Sequence, residues 1–138
     1  MIRVTVPATS ANMGSGYDSI GIALDLYNTF LMEESDTIDI CSTNGDNVPT
    51  DETNLIYQCA KQVYDICGKP MHGLRILEDC LIPQTRGLGS SSACTVAGIM
   101  GANALLGEPL DRNAVIDLAA LPRGRQERLH LQQGARRD

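Results

Sequence analysis

Residues 83–93 read PQTRGLGSSSA, a glycine-hydroxyl loop that runs into a stretch of small residues with helical spacing. Gly87 and Gly89 permit positive φ and let main-chain N–H groups approach a ligand with no side chain in the way. Ser90, Ser91 and Ser92 add hydroxyls where a helix beginning near Ser91 or Ser92 exposes its unpaired N–H groups. An anion at such an end gains roughly 0.3–1 kcal/mol from the helix dipole, besides its direct hydrogen bonds. The chemistry on offer is phosphate binding. No Lys follows the last glycine and the four-residue gap between glycines is missing, so a P-loop NTPase is disfavoured. Taken alone, the pattern fits an ordinary capped core helix equally well.

A second polar segment, PATSANMGSGYDSIG at 7–21, follows a short alternating strand in which Ile2, Val4 and Val6 share a face. Its Ser, Asn, Gly and Asp content predicts a long loop, and long loops beside strands often carry function. Asn12 offers a donor and acceptors, and Asp18 offers a carboxylate. Together they suit a small ligand bearing an ammonium or hydroxyl group. The competing reading is that both side chains merely satisfy turns or cap a helix.

At these two segments the chain resembles the GHMP family of small-molecule kinases, and within it the homoserine-kinase branch. GLGSSSA resembles the family's phosphate-binding motif, and VPATSANMGSGYDSIGIALDLYN resembles that branch's N-terminal motif. The pair, in order, is more specific than either part, and the resemblance covers about residues 1–121. It implies an α+β domain of the ribosomal protein S5 domain 2-like fold, and transfer of the γ-phosphoryl group of ATP to the side-chain hydroxyl of L-homoserine. By the same resemblance Pro83, Arg86, Gly87, Leu88, Gly89, Ser90, Ser91, Ser92 and Ala93 surround ATP, with Ser91 a Mg²⁺ ligand. Asn12 and Asp18 fall in the homoserine site, where Asp18 positions the ammonium. Asn54 falls near the nucleoside, although an Asn at a helix start is more often a cap. Another GHMP kinase, acting on a mevalonate-type or sugar substrate, and an inactive nucleotide-binding fragment are the alternatives.

Phosphoryl transfer through a loose transition state needs positioning and charge neutralisation more than a strong base. None of residues 1–121 stands out as a base. His72, in MHGL, reads as a solvated surface histidine. Arg86 reads equally as a phosphate partner and as a loop arginine.

The elements that must position these groups are legible as strands at 3–6, 27–33, 37–41 and 74–77. Helices are expected at 53–67, ended by Gly68, at 91–106, ended by Gly107, and from an N-cap at Asp111. Apolar residues make up 43% of the 138, with no Trp and one Phe, so aliphatic residues must fill a single core. No apolar run approaches the ~20 residues of a membrane helix, and no signal-peptide pattern opens the chain, which predicts a cytoplasmic protein with no membrane partner. The five cysteines contain no C-x-x-C pair and read as reduced, mostly buried thiols.

Charge changes abruptly near the C-terminus. Residues 1–121 hold six basic and fifteen acidic side chains, net −9, whereas residues 122–138 hold five basic and two acidic, net +3. The expected division is a 1–121 ATP-binding domain and a 122–138 basic tail, too weak a patch to imply nucleic acid. In the homoserine-kinase branch the third helix resembles a lead-in to a Glu-Gly-His-Pro-Asp-Asn segment, whose glutamate completes Mg²⁺ binding, and to a second domain. Here PRGRQER stands in that place. The expectation is a frameshifted or mis-called gene end, a truncated chain with an impaired activity, and exposed apolar surface that invites aggregation or a homodimer.

Overall fold

The structure is a computed structural model, and it describes residues 1–11, 21–43, 48–82 and 90–120. The elements run β1 (Ile2–Ala11), β2 (Gly21–Glu34), β3 (Asp39–Ser42), α1 (Leu55–Ile66), β4 (Leu74–Cys80), α2 (Ser90–Leu105) and α3 (Arg112–Ala120). The four strands make one sheet in the order β1-β2-β4-β3. β1 and β4 flank β2 antiparallel, while β3 runs parallel to β4. A parallel pair cannot close through a tight turn, so the chain between them crosses over as α1.

Alternation along the strands puts Val4, Phe30, Met32, Ile40, Leu74 and Ile76 into one core with Ile56, Val63, Tyr64, Ala97 and Ile99 of the helices. The expected α+β class holds. α1 buries one face at Ile56, Tyr57, Cys59, Ala60, Val63 and Tyr64.

Helix ends follow their predicted stops. Gly68 takes φ 70° and Gly107 φ 81°. Behind Gly68, the Lys69 N–H donates to the Tyr64 carbonyl at 2.9 Å. Behind Gly107, the Glu108 N–H donates to the Asn103 carbonyl at 2.7 Å, so both helices close in the same left-handed cap. Asp111 Oδ1 accepts from the Ala114 N–H at 2.8 Å and caps α3. Asn103 holds the connection to α3 by bonding both the N–H and the carbonyl of Leu110.

One expectation is corrected. The polar loop predicted at 7–21 is shorter, because β1 continues to Ala11 and β2 begins at Gly21, with Thr9, Ser10 and Ala11 paired to Ala23, Ile22 and Gly21. Ladder hydrogen bonds come from the backbone, so small and polar side chains extend a strand whose neighbour is already in register. Pro7 is tolerated because β1 is an edge strand, and the register shifts between Pro7 and Thr9.

Gly98 sets the distance between α1 and α2. A Cβ there would stand 2.6 Å from the Ile56 carbonyl oxygen and 2.8 Å from Cys59 Cβ. Gly98→Ala therefore pushes the two helices apart and should cost about 1–3 kcal/mol of stability in urea unfolding. A variant as stable as the parent would mean that the helices do not meet there.

Candidate phosphate-binding site

The helix-facing side of the sheet changes character along its length. One row across the strands is Ile2, Met32, Ile76 and Ile40; the next is Val4, Phe30, Glu78 and Ser42; the third is Val6, Asn28 and Cys80. Apolar packing thus gives way to buried polar groups at the end where β4 leaves the sheet toward α2. Asn28 is 0% exposed and Glu78 4%. Buried polar groups need partners, and each of these finds one far away in sequence.

Glu78 Oε1 accepts from Asn54 Nδ2 at 3.0 Å. Asn54 is the N-cap of α1: its Oδ1 accepts from the N–H groups of Ile56 (2.9 Å) and Tyr57 (3.3 Å), and its Nδ2 also donates to the Pro49 carbonyl. All four hydrogen-bonding positions of the amide are used within the protein. A contact from this amide to a nucleoside would require breaking one of those bonds. On its other side Glu78 influences α2. Burial first, then the Glu78 carboxylate and Cys59, push the Cys94 thiol from an ordinary 9.0 up to about 12.

The second buried group, Asn28, accepts at Oδ1 from the Ile82 N–H at 2.8 Å. Ile82 packs with Ala8 of β1 and Ala93 of α2 in a small separate cluster. Ser90, Ser91 and Ser92 form the first turn of α2, a helix of 16 residues that begins at this polar end of the sheet. The first N–H groups of such a helix have no intrahelical acceptor.

Of the sequence-predicted site residues, the structure describes Asn54, Ala93 and the backbone of Ser90 to Ser92. Ser90 to Ser92 open α2 and Ala93 packs inward beneath them. Asn54 lies across Glu78 from α2. Asn12, Asp18, Pro83, Arg86, Gly87, Leu88 and Gly89 lie outside the described residues. His72 is exposed and lines a cleft of about 350 Å³ with Glu34, Asp36 and Tyr64, beside the opposite end of β4. In that cleft Tyr64 donates its hydroxyl proton to Glu34 Oε1 at 2.6 Å, and burial together with that bond raises the Tyr64 pKa. Among the described residues, no group of three or more His, Cys, Asp or Glu side chains is placed to hold a metal, and no helix is long and apolar enough to cross a membrane.

Sequence reasoning missed Glu78 and Asn28. The available signal was alternation: Glu78 follows Leu74 and Ile76 at period two, and Asn28 precedes Phe30 and Met32 in the same way.

Comparison with known proteins places the architecture. Residues 54–126 match the GHMP kinases N terminal domain. The chain belongs to the GHMP kinase family. A homoserine kinase of Petrotoga mobilis is 46% identical over 132 residues, which is 94% of this chain and 43% of that protein. One from Clostridium botulinum (strain 657 / Type Ba4) is 43% identical over 130 residues, with the same coverage. The chain thus spans less than half the length of these relatives. Among solved structures, a homoserine kinase from Cytophaga hutchinsonii superposes with TM-score 0.73 at 32% identity, over 86% of this chain and 39% of that one. The Methanococcus jannaschii mevalonate kinase shares the fold at TM-score 0.68 and 20% identity, over 86% of this chain and 44% of that one.

The GHMP domain's thiols give a direct check on the Glu78 environment. Cys94 stays protonated at pH 8, so iodoacetamide should modify it at least about tenfold more slowly than the exposed Cys41. The same raised pKa means that the thiol's contribution to stability is intact below pH 9 and is lost as pH rises toward 12. Equal labelling of Cys94 and Cys41 in peptide mapping would contradict the burial.

Proposed function

We propose that this chain is the nucleotide-binding part of an enzyme that transfers the γ-phosphoryl group of ATP to the hydroxyl of L-homoserine. The observation that carries the reading is the identity of 46% and 43% to homoserine kinases across 94% of the chain. The fold supports it by starting a long helix, with three serines in its first turn, at the polar end of the sheet. A mevalonate-type acceptor ranks behind it, since mevalonate kinases share the fold at 20% identity.

In this reading the backbone of 87–89 and the first turn of α2 hold the ATP phosphates, with Pro83, Arg86, Leu88 and Ala93 framing them. Asn12 and Asp18 hold homoserine, and Asp18 pairs with its ammonium and aligns the hydroxyl. Asn54 and Glu78 fix the start of α1 beside the nucleoside. Ser91, a hard hydroxyl donor, suits Mg²⁺, which takes most of its ligands from phosphate and water and neutralises phosphate charge. The protein's share is orientation and amide hydrogen bonds, with no strong base demanded.

The proposal extends to a domain at 1–121, a basic tail at 122–138, a cytoplasmic setting and self-association through exposed apolar surface such as Met100 and Ile116, which are 47% and 51% exposed. The family match runs on to residue 126, past the proposed boundary.

Calorimetric titration of the purified chain with Mg-ATP and then L-homoserine, beside an ADP-release assay, tests the proposal. The expected result is saturable binding of both. Asp18→Asn should weaken homoserine binding about 10- to 100-fold and leave Mg-ATP binding unchanged. Binding of mevalonate in place of homoserine would overturn the substrate, and absence of nucleotide binding would overturn the reading itself.

A further inference from the structure

We infer that Asn28 positions the first turn of α2, and with it the anion site that this turn offers, by holding the backbone of Ile82. Asn28 is fully buried in β2, level with Val6 on one side and Cys80 on the other. Its Oδ1 accepts from the Ile82 N–H at 2.8 Å, across 54 residues of sequence. Its Nδ2 is equally buried and has no hydrogen-bond partner among the described residues. Among the described residues, what this amide contributes therefore falls on its bond to Ile82.

That bond lies where the ladder has run out. β4 ends at Cys80, and Ile82 follows beyond it. The Ile82 side chain is 2% exposed and packs with Ala8 of β1 and Ala93 of α2. A shift of the Ile82 backbone is therefore passed to Ala93, in the same turn as Ser90, Ser91 and Ser92. Amide groups bind an oxygen anion well only within 2.7–3.2 Å, so a displacement of about half an ångström at this turn is enough to weaken the site. Asn28 touches no ligand in this account and acts only through Ile82.

The inference rests on the reading of α2's first turn as the ATP phosphate site, and the test separates the two. Asn28→Leu in the full chain is close in volume and removes both the Ile82 acceptor and a donor that has no partner among the described residues. Relief of one buried polar group then offsets the stranding of another, so the melting temperature should stay within a few degrees. Mg-ATP affinity by calorimetry should fall about tenfold or more, and the Ile82 amide should exchange with solvent about tenfold faster. Asn28→Asp keeps an acceptor for Ile82 and should retain slow exchange there even if the added charge lowers the melting temperature.

A folded Asn28→Leu protein that binds Mg-ATP within twofold of the parent overturns the inference. If that variant does not fold, loss of Ile82 protection in a folded Asn28→Asp protein overturns it instead. A parent chain that binds no Mg-ATP sinks the nucleotide reading, and the Ile82 exchange rates still decide whether Asn28 is the anchor.

Discussion

The hydrogen bond between Asn54 and Glu78 is the constraint around which this domain is arranged. A carboxylate buried in the sheet face at 4% exposure is costly unless it is hydrogen-bonded. Here the donor is an amide that also caps α1 and bonds the carbonyl of Pro49. One side chain thereby ties the β3–α1 connection, the start of α1 and the middle of β4 into a single unit. Gly98 then brings α2 against the Ile56 carbonyl in the first turn of α1. The position of α2 follows from that chain of contacts together with the glycine in its own sequence.

The two ends of the sheet differ in character because the face changes from aliphatic to polar. At the apolar end Met32 and Ile76 pack under the helices. At the other end Glu78 and Asn28 place charge and amide groups beneath the start of α2. Glu78 and the anion proposed above it carry the same sign, so the arrangement works only if the carboxylate is screened from the ligand. Asn54 does that in part by donating to Glu78, and the dipole of α1, whose N-terminus Asn54 caps, adds to it.

Much of this was legible in the sequence, and the reasons are local. Caps at Asn54 and Asp111 and stops at Gly68 and Gly107 are written in residues whose backbone preferences act within a few positions. The strand extension over Pro7–Ala11 was not legible, because small and polar side chains say nothing about which backbone lies alongside. Burial of Glu78 and Asn28 was hidden for the same reason: their partners are 24 and 54 residues away. Alternation put both on the core face, but only the folded partners show how a charge and an amide can stay there. The family motifs reached further than local physics, since they carried the reading of 83–93 from any helix end to a GHMP kinase phosphate site.

The central claim is that α2's first turn receives the phosphates of ATP. A titration of the isotope-labelled chain with Mg-ATP, followed residue by residue through backbone amide resonances, tests it most directly. The account predicts that the largest shifts fall on Ser90 to Ala93, with smaller ones at Ile82 and Asn54. Shifts centred instead on Glu34, Tyr64 and His72 at the other end of the sheet, or none at all at saturating nucleotide, would contradict it.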